Sequence, residues 1–230
     1  YQDGVMVSTG EFTRIDIDLA KERAQMPAEQ KAQEEEIRTE EEKAKNLQEH
    51  FNLGLEYLKQ KQYTQAISQF ESAAEIDPQQ HAIWANLAQA YSGANQTDKG
   101  ITAYEKAIAL RPEEAGFHNN LGGLYVKAGR FDQARQAFEK AATLDPGKAA
   151  TYHFNLGATL VNQGAMKEAV EPLRKALELD PNRAVAHYWL GVCLYAGAES
   201  KIEGGVVKTV LQPGTVEAFE KYLELEPNGP

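Results

Sequence analysis

Large apolar, small apolar and polar positions follow one another in the same order four times between residues 47 and 183. Within each copy the apolar positions fall in two groups, in which they are spaced three and four residues apart. Such spacing is typical of one face of an α-helix, so each copy predicts two amphipathic helices. A proline ends the second helix, because the residue before proline is pushed out of the helical region. These prolines are 34 or 35 residues apart: Pro78, Pro112, Pro146 and Pro181.

The aligned columns have a packing explanation. Counted from Leu47, His81, Ala115 and Ala150, position 7 is always leucine, and positions 8 and 20 are always small. A small residue lets the two helices of one copy cross closely, and large residues fill the space around that contact. Gly100, at position 20 where the other copies have alanine, is expected to cost its helix up to about 1 kcal/mol. The large residues at position 24 are Phe70, Tyr104, Phe138 and Leu173.

The pattern resembles the tetratricopeptide repeat (TPR), and the resemblance extends over residues 47–230. It implies an all-α fold, a right-handed superhelix (α-solenoid) of about five helix-turn-helix repeats. The second helix of the last repeat comes 12 residues late, so an insertion is expected within 197–214, as a lengthened turn or a short hairpin. The repeats are expected at 47–80, 81–114, 115–149, 150–183 and 184–230.

The sequence before the repeats has two parts. Residues 19–46 carry almost no apolar residue at core spacing and predict a charged helical linker, either a solvated helix started by Pro27 or a partly disordered segment. Residues 1–18 alternate apolar and polar positions, which predicts a strand. This β-like segment resembles the last strand of a carboxypeptidase-regulatory-like β-sandwich domain; a disordered leader is the alternative. The resemblance favours a secreted or periplasmic location over a cytoplasmic one.

Charge and composition exclude several classes of function. The formal net charge of −10 would repel a phosphate backbone, so nucleic acid is not an expected partner. The sequence holds no run of 18 apolar residues, so no membrane-spanning helix is predicted. The lone Cys193 excludes an internal disulfide, and no catalytic spacing stands out, so neither an enzyme nor a cofactor site is expected. Because it opens on Tyr1, the chain is expected to be a piece of a longer or processed protein.

Position 4 carries a column of histidines, with Trp84 in its place in the second repeat. Packed helices lie about 10 Å apart, too far for two histidines of successive repeats to share one metal ion at about 2 Å. The column is therefore interpreted as packing against the neighbouring helix, and no metal site is expected. Its members are His50, His118, His153 and His187.

Position 6 carries asparagine in four consecutive repeats, although asparagine is a poor residue for a helix interior. The TPR resemblance implies that the first helices line a concave groove and that position 6 faces into it. A primary amide offers a donor and an acceptor together, so an asparagine ladder could hold an extended peptide backbone. The column resembles the groove asparagines of O-linked N-acetylglucosamine transferases; hydrogen bonding to neighbouring helices or water is the alternative. The four residues are Asn52, Asn86, Asn120 and Asn155.

The other residues expected in the groove are mostly apolar or amide, and lysine and arginine are missing at positions 2, 5 and 6 of the first three repeats. TPR proteins that capture an acidic C-terminal peptide have basic residues there, so a neutral extended segment with apolar side chains is the expected ligand. These further groove residues are Phe51, Leu55, Gln89, Asn119, Phe154, Tyr188 and Trp189.

The alternative function is that of a structural or assembly scaffold. Stacked repeats need a polar end face or a capping helix, and no further amphipathic helix follows the last pair in this sequence. Either the natural protein is therefore expected to continue, or Phe219, Tyr222 and Leu223 lie near a surface that a second copy or another subunit covers. A homo-oligomer through the C-terminal repeat is the expectation that corresponds to the second case.

Overall fold

The structure, a computed structural model, describes residues 25–203 and 206–228 and is an all-α solenoid with one small hairpin. The strand and the upstream domain predicted from residues 1–18 lie outside the described residues. The described helices are α1 Ala28–Lys59, α2 Tyr63–Ile76, α3 His81–Gly93, α4 Thr97–Leu110, α5 Ala115–Lys127, α6 Phe131–Leu144, α7 Ala149–Asn162, α8 Met166–Leu179, α9 Ala184–Ala196 and α10 Thr215–Leu225. A short 3₁₀ turn at Pro146–Lys148 precedes α7.

The chain divides into two compact units, Tyr1–Glu49 and His50–Pro230. In the first unit, the described charged residues are helical and, apart from the half-buried Lys31, exposed. Pro27 precedes the helix, and its carbonyl accepts the N–H of Lys31 at 3.1 Å. Ion pairs one turn apart, such as Lys43 Nζ with Glu40 Oε1 at 2.6 Å, support a helical segment that has few apolar contacts. The helix ends at Lys59, so no helix end separates the predicted linker from the first predicted repeat.

In the second unit, consecutive helices pack in pairs through one small residue and one large residue. A Cβ added to Gly122 in α5 would lie 2.7 Å from the ring of Phe138 in α6, closer than carbon atoms can approach. The same relationship joins α7 and α8 through Gly157 and Leu173. The small residues at position 8 therefore let each helix pair cross closely, as the repeat pattern predicts.

Successive pairs are joined by a side-chain hydrogen bond that recurs. The hydroxyl of Tyr91 donates to Glu71 Oε1 at 2.5 Å, and that of Tyr125 donates to Glu105 Oε1 at 3.0 Å. Each bond connects a first helix to the second helix of the pair before it. Burial and the bond to Glu71 raise the pKa of Tyr91 to about 12. The next copy has Leu160 in this column, which has no hydroxyl to donate.

Gly100 has a packing reason that the sequence pattern does not show. A Cβ at this position of α4 would lie 2.9 Å from Leu124 Cδ1 of α5 and 3.2 Å from the carbonyl oxygen of Ala88. Leu124 is 4 % exposed, so its end fills the space that an alanine side chain would take. Glycine at position 100 lowers the helix propensity of α4, but it makes room for a close contact between two neighbouring helix pairs.

The insertion within 197–214 contains a two-stranded antiparallel hairpin, β1 Glu199–Glu203 and β2 Val206–Val210. Ile202 pairs with Val207, and both side chains are exposed. The hairpin is followed by α10, which packs on α9 as the last described helix pair. Among the described helices, none is long and apolar enough to cross a lipid bilayer.

Candidate functional site

Three of the predicted groove amides meet in one chain of hydrogen bonds. Asn155 Nδ2 in α7 donates to Asn119 Oδ1 in α5 at 2.9 Å. Asn119 Nδ2 in turn donates to Asn120 Oδ1 at 2.9 Å. The first bond joins the first helices of two neighbouring pairs and the second stays within α5, so the amides form part of the contact between the pairs.

Tyr104 lies between this chain and α3. Its side chain is 2 % exposed, and burial raises the pKa of Tyr104, while the neighbouring amides of Asn120 and Gln89 act to lower it. Tyr104 and Gln89 therefore lie beside the hydrogen-bonded amides of Asn120, Asn119 and Asn155.

These residues line a groove of about 590 Å³, which we call the amide groove. The first helices α3, α5 and α7 supply most of its lining, and Gly123 and Ala158 keep part of it unfilled. Lys127 lies in the lining, where its Nζ donates to the Ser92 carbonyl at 3.0 Å and to Asn95 Oδ1 at 2.8 Å. The full lining is Gln89, Ser92, Tyr104, Asn119, Asn120, Gly123, Leu124, Lys127, Phe138, Asn155, Ala158 and Thr159.

The other two residues of the predicted ladder lie outside the amide groove. Asn86 is half-buried and donates from Nδ2 to the carbonyl of Ala82 at 2.8 Å, one turn earlier in its own helix. Asn52 is exposed on α1. The structure thus brings together Asn120 and Asn155, with Asn119 and Gln89, and does not bring Asn52 or Asn86 to them.

The predicted apolar groove residues have varied surroundings. Phe51 packs edge-on against Phe70 with ring centroids 5.8 Å apart, and Leu55 is 38 % exposed. The guanidinium of Arg183 lies 5.1 Å from the Phe154 ring centroid. In the last helix pair, Tyr188 contacts the Trp189 ring at 5.2 Å.

Two histidines of the column contact the turns between helix pairs, whereas His50 Nδ1 lies 2.8 Å from Gln69 Oε1 of α2. His118 Nε2 lies 2.9 Å from the carbonyl of Pro112, and His187 Nε2 lies 2.9 Å from that of Pro181. Trp84 makes the equivalent bond from Nε1 to the Pro78 carbonyl at 2.8 Å. His153 follows the 3₁₀ turn, and burial lowers its pKa. Within the described residues, no three His, Cys, Asp or Glu side chains are grouped closely enough to hold a metal ion.

Sequence reasoning predicted four of the twelve residues that line the amide groove, and two of the eight others, Tyr104 and Gly123, matter most for the site. Tyr104 was assigned only to core packing, because position 24 holds phenylalanine in the first and third copies. The hydroxyl at this one position was the available signal. Gly123 was also missed. It directly follows Gly122, and the close crossing of the two helices explains Gly122 but not a second glycine beside it.

The helix pairs, their repeating period and the small-to-large contacts define a tetratricopeptide-repeat protein, a class of protein–protein interaction module. Residues 14–210 match the family described as cilia and flagella-associated protein 70 C-terminal domain, and the chain belongs to that family. A comparison with curated protein sequences gave no match.

Solved TPR structures share the fold. A crystal structure of MamA superposes with a TM-score of 0.62 at 20 % identity, covering 80 % of this chain and 93 % of that one. MamA residues 41 to the end from Desulfovibrio magneticus RS-1 give 0.61 at 18 % identity, with 79 % and 96 % covered. YrrB, a TPR protein with an unusual peptide-binding site, gives 0.55 at 21 % identity, with 78 % and 86 % covered. At these identities the similarity shows the fold alone.

Proposed function

We propose that the repeat array is a non-catalytic module that binds an extended, largely neutral polypeptide segment. In this proposal the amides of the first helices pair with the peptide groups of the segment, and Asn52, Asn86, Asn120 and Asn155 form the ladder along which it lies. The observation that carries the proposal is the linked row of amides in the amide groove, from Asn155 through Asn119 to Asn120.

The linked amides suit a backbone ligand. Each primary amide has two N–H donors and an oxygen with two lone pairs, so one bond to a neighbour leaves further capacity on each side chain. The bonds between Asn155, Asn119 and Asn120 also hold the side chains in place before a ligand arrives. Fixed side chains lose less conformational entropy on binding, which favours affinity. A peptide backbone presents the same donor and acceptor pair at every residue, so this mode does not require a particular sequence.

Charge supports a neutral ligand. Among the described residues that line the amide groove, Lys127 is the only charged one, and its ammonium already bonds to Ser92 and Asn95. The chain as a whole carries a formal net charge of −10, which disfavours a strongly acidic segment. The fold is shared with YrrB, which is described as having a peptide-binding site and so offers a precedent for this use of a TPR array.

The test is selection from a random peptide library on the purified protein, in parallel with two variants. The first variant changes Asn119, Asn120 and Asn155 to alanine. The second changes Asn52 and Asn86, which lie outside the amide groove. Circular dichroism and melting must match the parent before binding is compared. We expect peptides that bind the parent, bind the first variant at least about tenfold more weakly, and lose a smaller factor with the second.

The outcomes separate the elements of the proposal. Equal binding by the parent and the first variant would contradict backbone recognition by the amides. Loss with the first variant only would restrict the ladder to Asn120 and Asn155. No enrichment on the parent would contradict peptide binding in the groove.

A second candidate function is self-assembly through the last helix pair. Val216 and Leu223 lie two turns apart on α10 and are 50 % and 54 % exposed. Of the other expected surface residues, Tyr222 is 8 % exposed and packs on Tyr188, so it is part of the pair's own core. Sedimentation over a range of concentrations tests this candidate with the parent and with Val216→Glu/Leu223→Glu. A monomer at all concentrations would contradict it.

A further inference from the structure

We infer that the space beside Gly123 is a pocket for one uncharged primary-amide side chain, asparagine or glutamine, of the bound segment. The inference deepens the proposed function and rests on it. It concerns the choice of one ligand side chain, whereas the amide ladder concerns the ligand backbone.

The space exists because one residue of α5 lacks a side chain. A Cβ added to Gly123 would have no other atom within 4 Å, so it would point into the open amide groove. The neighbouring first helices carry Gln89 and Ala158 in the same column, and both also line the groove. Gly123 therefore leaves open space in the groove between the longer side chain of Gln89 and the shorter one of Ala158.

The walls of the gap are uncharged and polar. Asn119, Asn120 and Asn155 supply amide groups, and each uses an N–H or an oxygen in the bonds that link them. Their remaining donors and acceptors lie around one space. A primary amide can meet donors and acceptors together, and it offers two N–H donors beside its oxygen, whereas a hydroxyl offers one donor. An aliphatic side chain would instead cover these polar atoms without replacing their hydrogen bonds to water, which is unfavourable.

The charges around the groove disfavour a charged side chain of the ligand at this position. No carboxylate is present among the described residues that line the groove, so a lysine or arginine of the ligand would be desolvated without a counter-charge. An aspartate or glutamate could reach Lys127 only by competing with its bonds to Ser92 and Asn95. A neutral amide side chain needs no counter-charge and does not compete with the bonds of Lys127.

The test uses capped single amino acids, which all carry the same backbone. The N-acetyl, N-methylamide forms of glutamine, glutamate and norleucine are titrated into the isotope-labelled protein, and the side-chain NH₂ signals of Asn119, Asn120 and Asn155 are followed by NMR. We expect the glutamine compound to shift these signals and to bind about tenfold more tightly than the norleucine compound. A preference for glutamate or norleucine, or no shift with any compound, would overturn the inference.

Two variants locate the effect. Gly123→Leu fills the gap without a clash at its Cβ, and we expect it to abolish the response to the glutamine compound. Gln136→Leu places the same side chain on an exposed position of α6, outside the groove lining, and should respond like the parent. Unchanged binding by Gly123→Leu would overturn the pocket.

The two proposals can fail separately. Library peptides that need the groove asparagines but show no preference for an amide residue, and that bind Gly123→Leu as well as the parent, would overturn the pocket and leave the proposed function standing. A response to capped glutamine without any enriched peptide would support the pocket and contradict the proposed function.

Discussion

Asn155 Nδ2 donates to Asn119 Oδ1 at 2.9 Å across 36 positions of sequence, from one helix pair to the one before it. Both side chains are partly buried. This bond makes the amide groove part of the interface between α5 and α7, so any ligand that uses these amides acts on groups that also hold the array together. A loss of binding in an asparagine variant is informative only when stability has been measured beside it.

A double-mutant cycle measures the strength of that bond. We expect Asn119→Ala and Asn155→Ala each to lower the free energy of unfolding, and the double variant to lose about 1 kcal/mol less than the sum. Urea unfolding followed by circular dichroism supplies the four values. Strict additivity would mean that the two amides are no better paired with each other than with water.

Alanine substitutions at two helical glycines should change the free energy of unfolding in opposite directions. Gly100→Ala places a Cβ against Leu124 and the Ala88 carbonyl, so we expect the free energy of unfolding to fall by about 1 kcal/mol. Gly123→Ala meets no atom and should raise it by up to about 1 kcal/mol, because alanine has the higher helix propensity. Thermal and urea unfolding of both variants provide the comparison. A gain at Gly100 would show that Leu124 moves aside at little cost.

Tyr104→Phe removes one hydroxyl from the centre of the amide groove. The ring should fit, because phenylalanine occupies the same column at Phe70 and Phe138. Asn120 and Gln89 each lose a polar neighbour at the hydroxyl, so we expect stability to fall by about 1 kcal/mol and peptides selected on the parent to bind more weakly. Tyr91→Phe is the matched control for binding, since Tyr91 bonds to Glu71 and does not line the groove. Weakened binding in the control alone would contradict the assignment.

The raised pKa of Tyr91 predicts a dependence of stability on alkaline pH. Burial and the Glu71 carboxylate raise the pKa of Tyr91 from 10.0 to about 12, so the folded state holds this proton more tightly than the unfolded state. The resulting stability is fully present below pH 10 and is lost as the pH rises from 10 toward 12. We expect the free energy of unfolding to fall less steeply over this window in Tyr91→Phe than in the parent. Parallel slopes would contradict the prediction.

Cys193 offers a probe of opening at the last helix pair. Its side chain is 3 % exposed, and burial raises the pKa of the thiol to about 11. Reaction needs the thiolate and access, so we expect labelling at pH 8 to be slow in the folded protein and fast in denaturant. The labelling rates at intermediate urea concentrations then give the free energy of the opening that exposes Cys193 in α9. Rapid labelling without denaturant would show that α9 opens readily.

The repeating part of the fold could be predicted from the sequence because its contacts are periodic. A small residue facing a large one, as at Gly122 and Phe138, leaves a signal in every copy. The predicted asparagine ladder is harder to judge, because the partner of each amide depends on the copy before it. Asn155 bonds to Asn119, which is at position 5 of the preceding copy. For Asn86, position 5 of the preceding copy is Phe51, which has no side-chain acceptor.

Other features depend on single side chains in three dimensions, which a column pattern does not include. Asn86 bonds back to its own helix at Ala82, an option open to any asparagine inside a helix. The role of the Tyr104 hydroxyl required knowing that Gln89 and Asn120 reach the same point. α1 continues without a break through residues 28–46, where almost no apolar residue stands at core spacing, so no core contact marks a boundary between the predicted linker and the first repeat.

The contact of Leu124 with Gly100 ties the third copy to the second in a way that the shared period conceals. Recombination or duplication that places the third copy after a first, third or fourth copy would bring its leucine against alanine at position 20. The resulting clash would fall between modules, where neither module alone would reveal it. Exchanging two repeats therefore changes the contacts between helix pairs, even when no residue within a repeat is substituted.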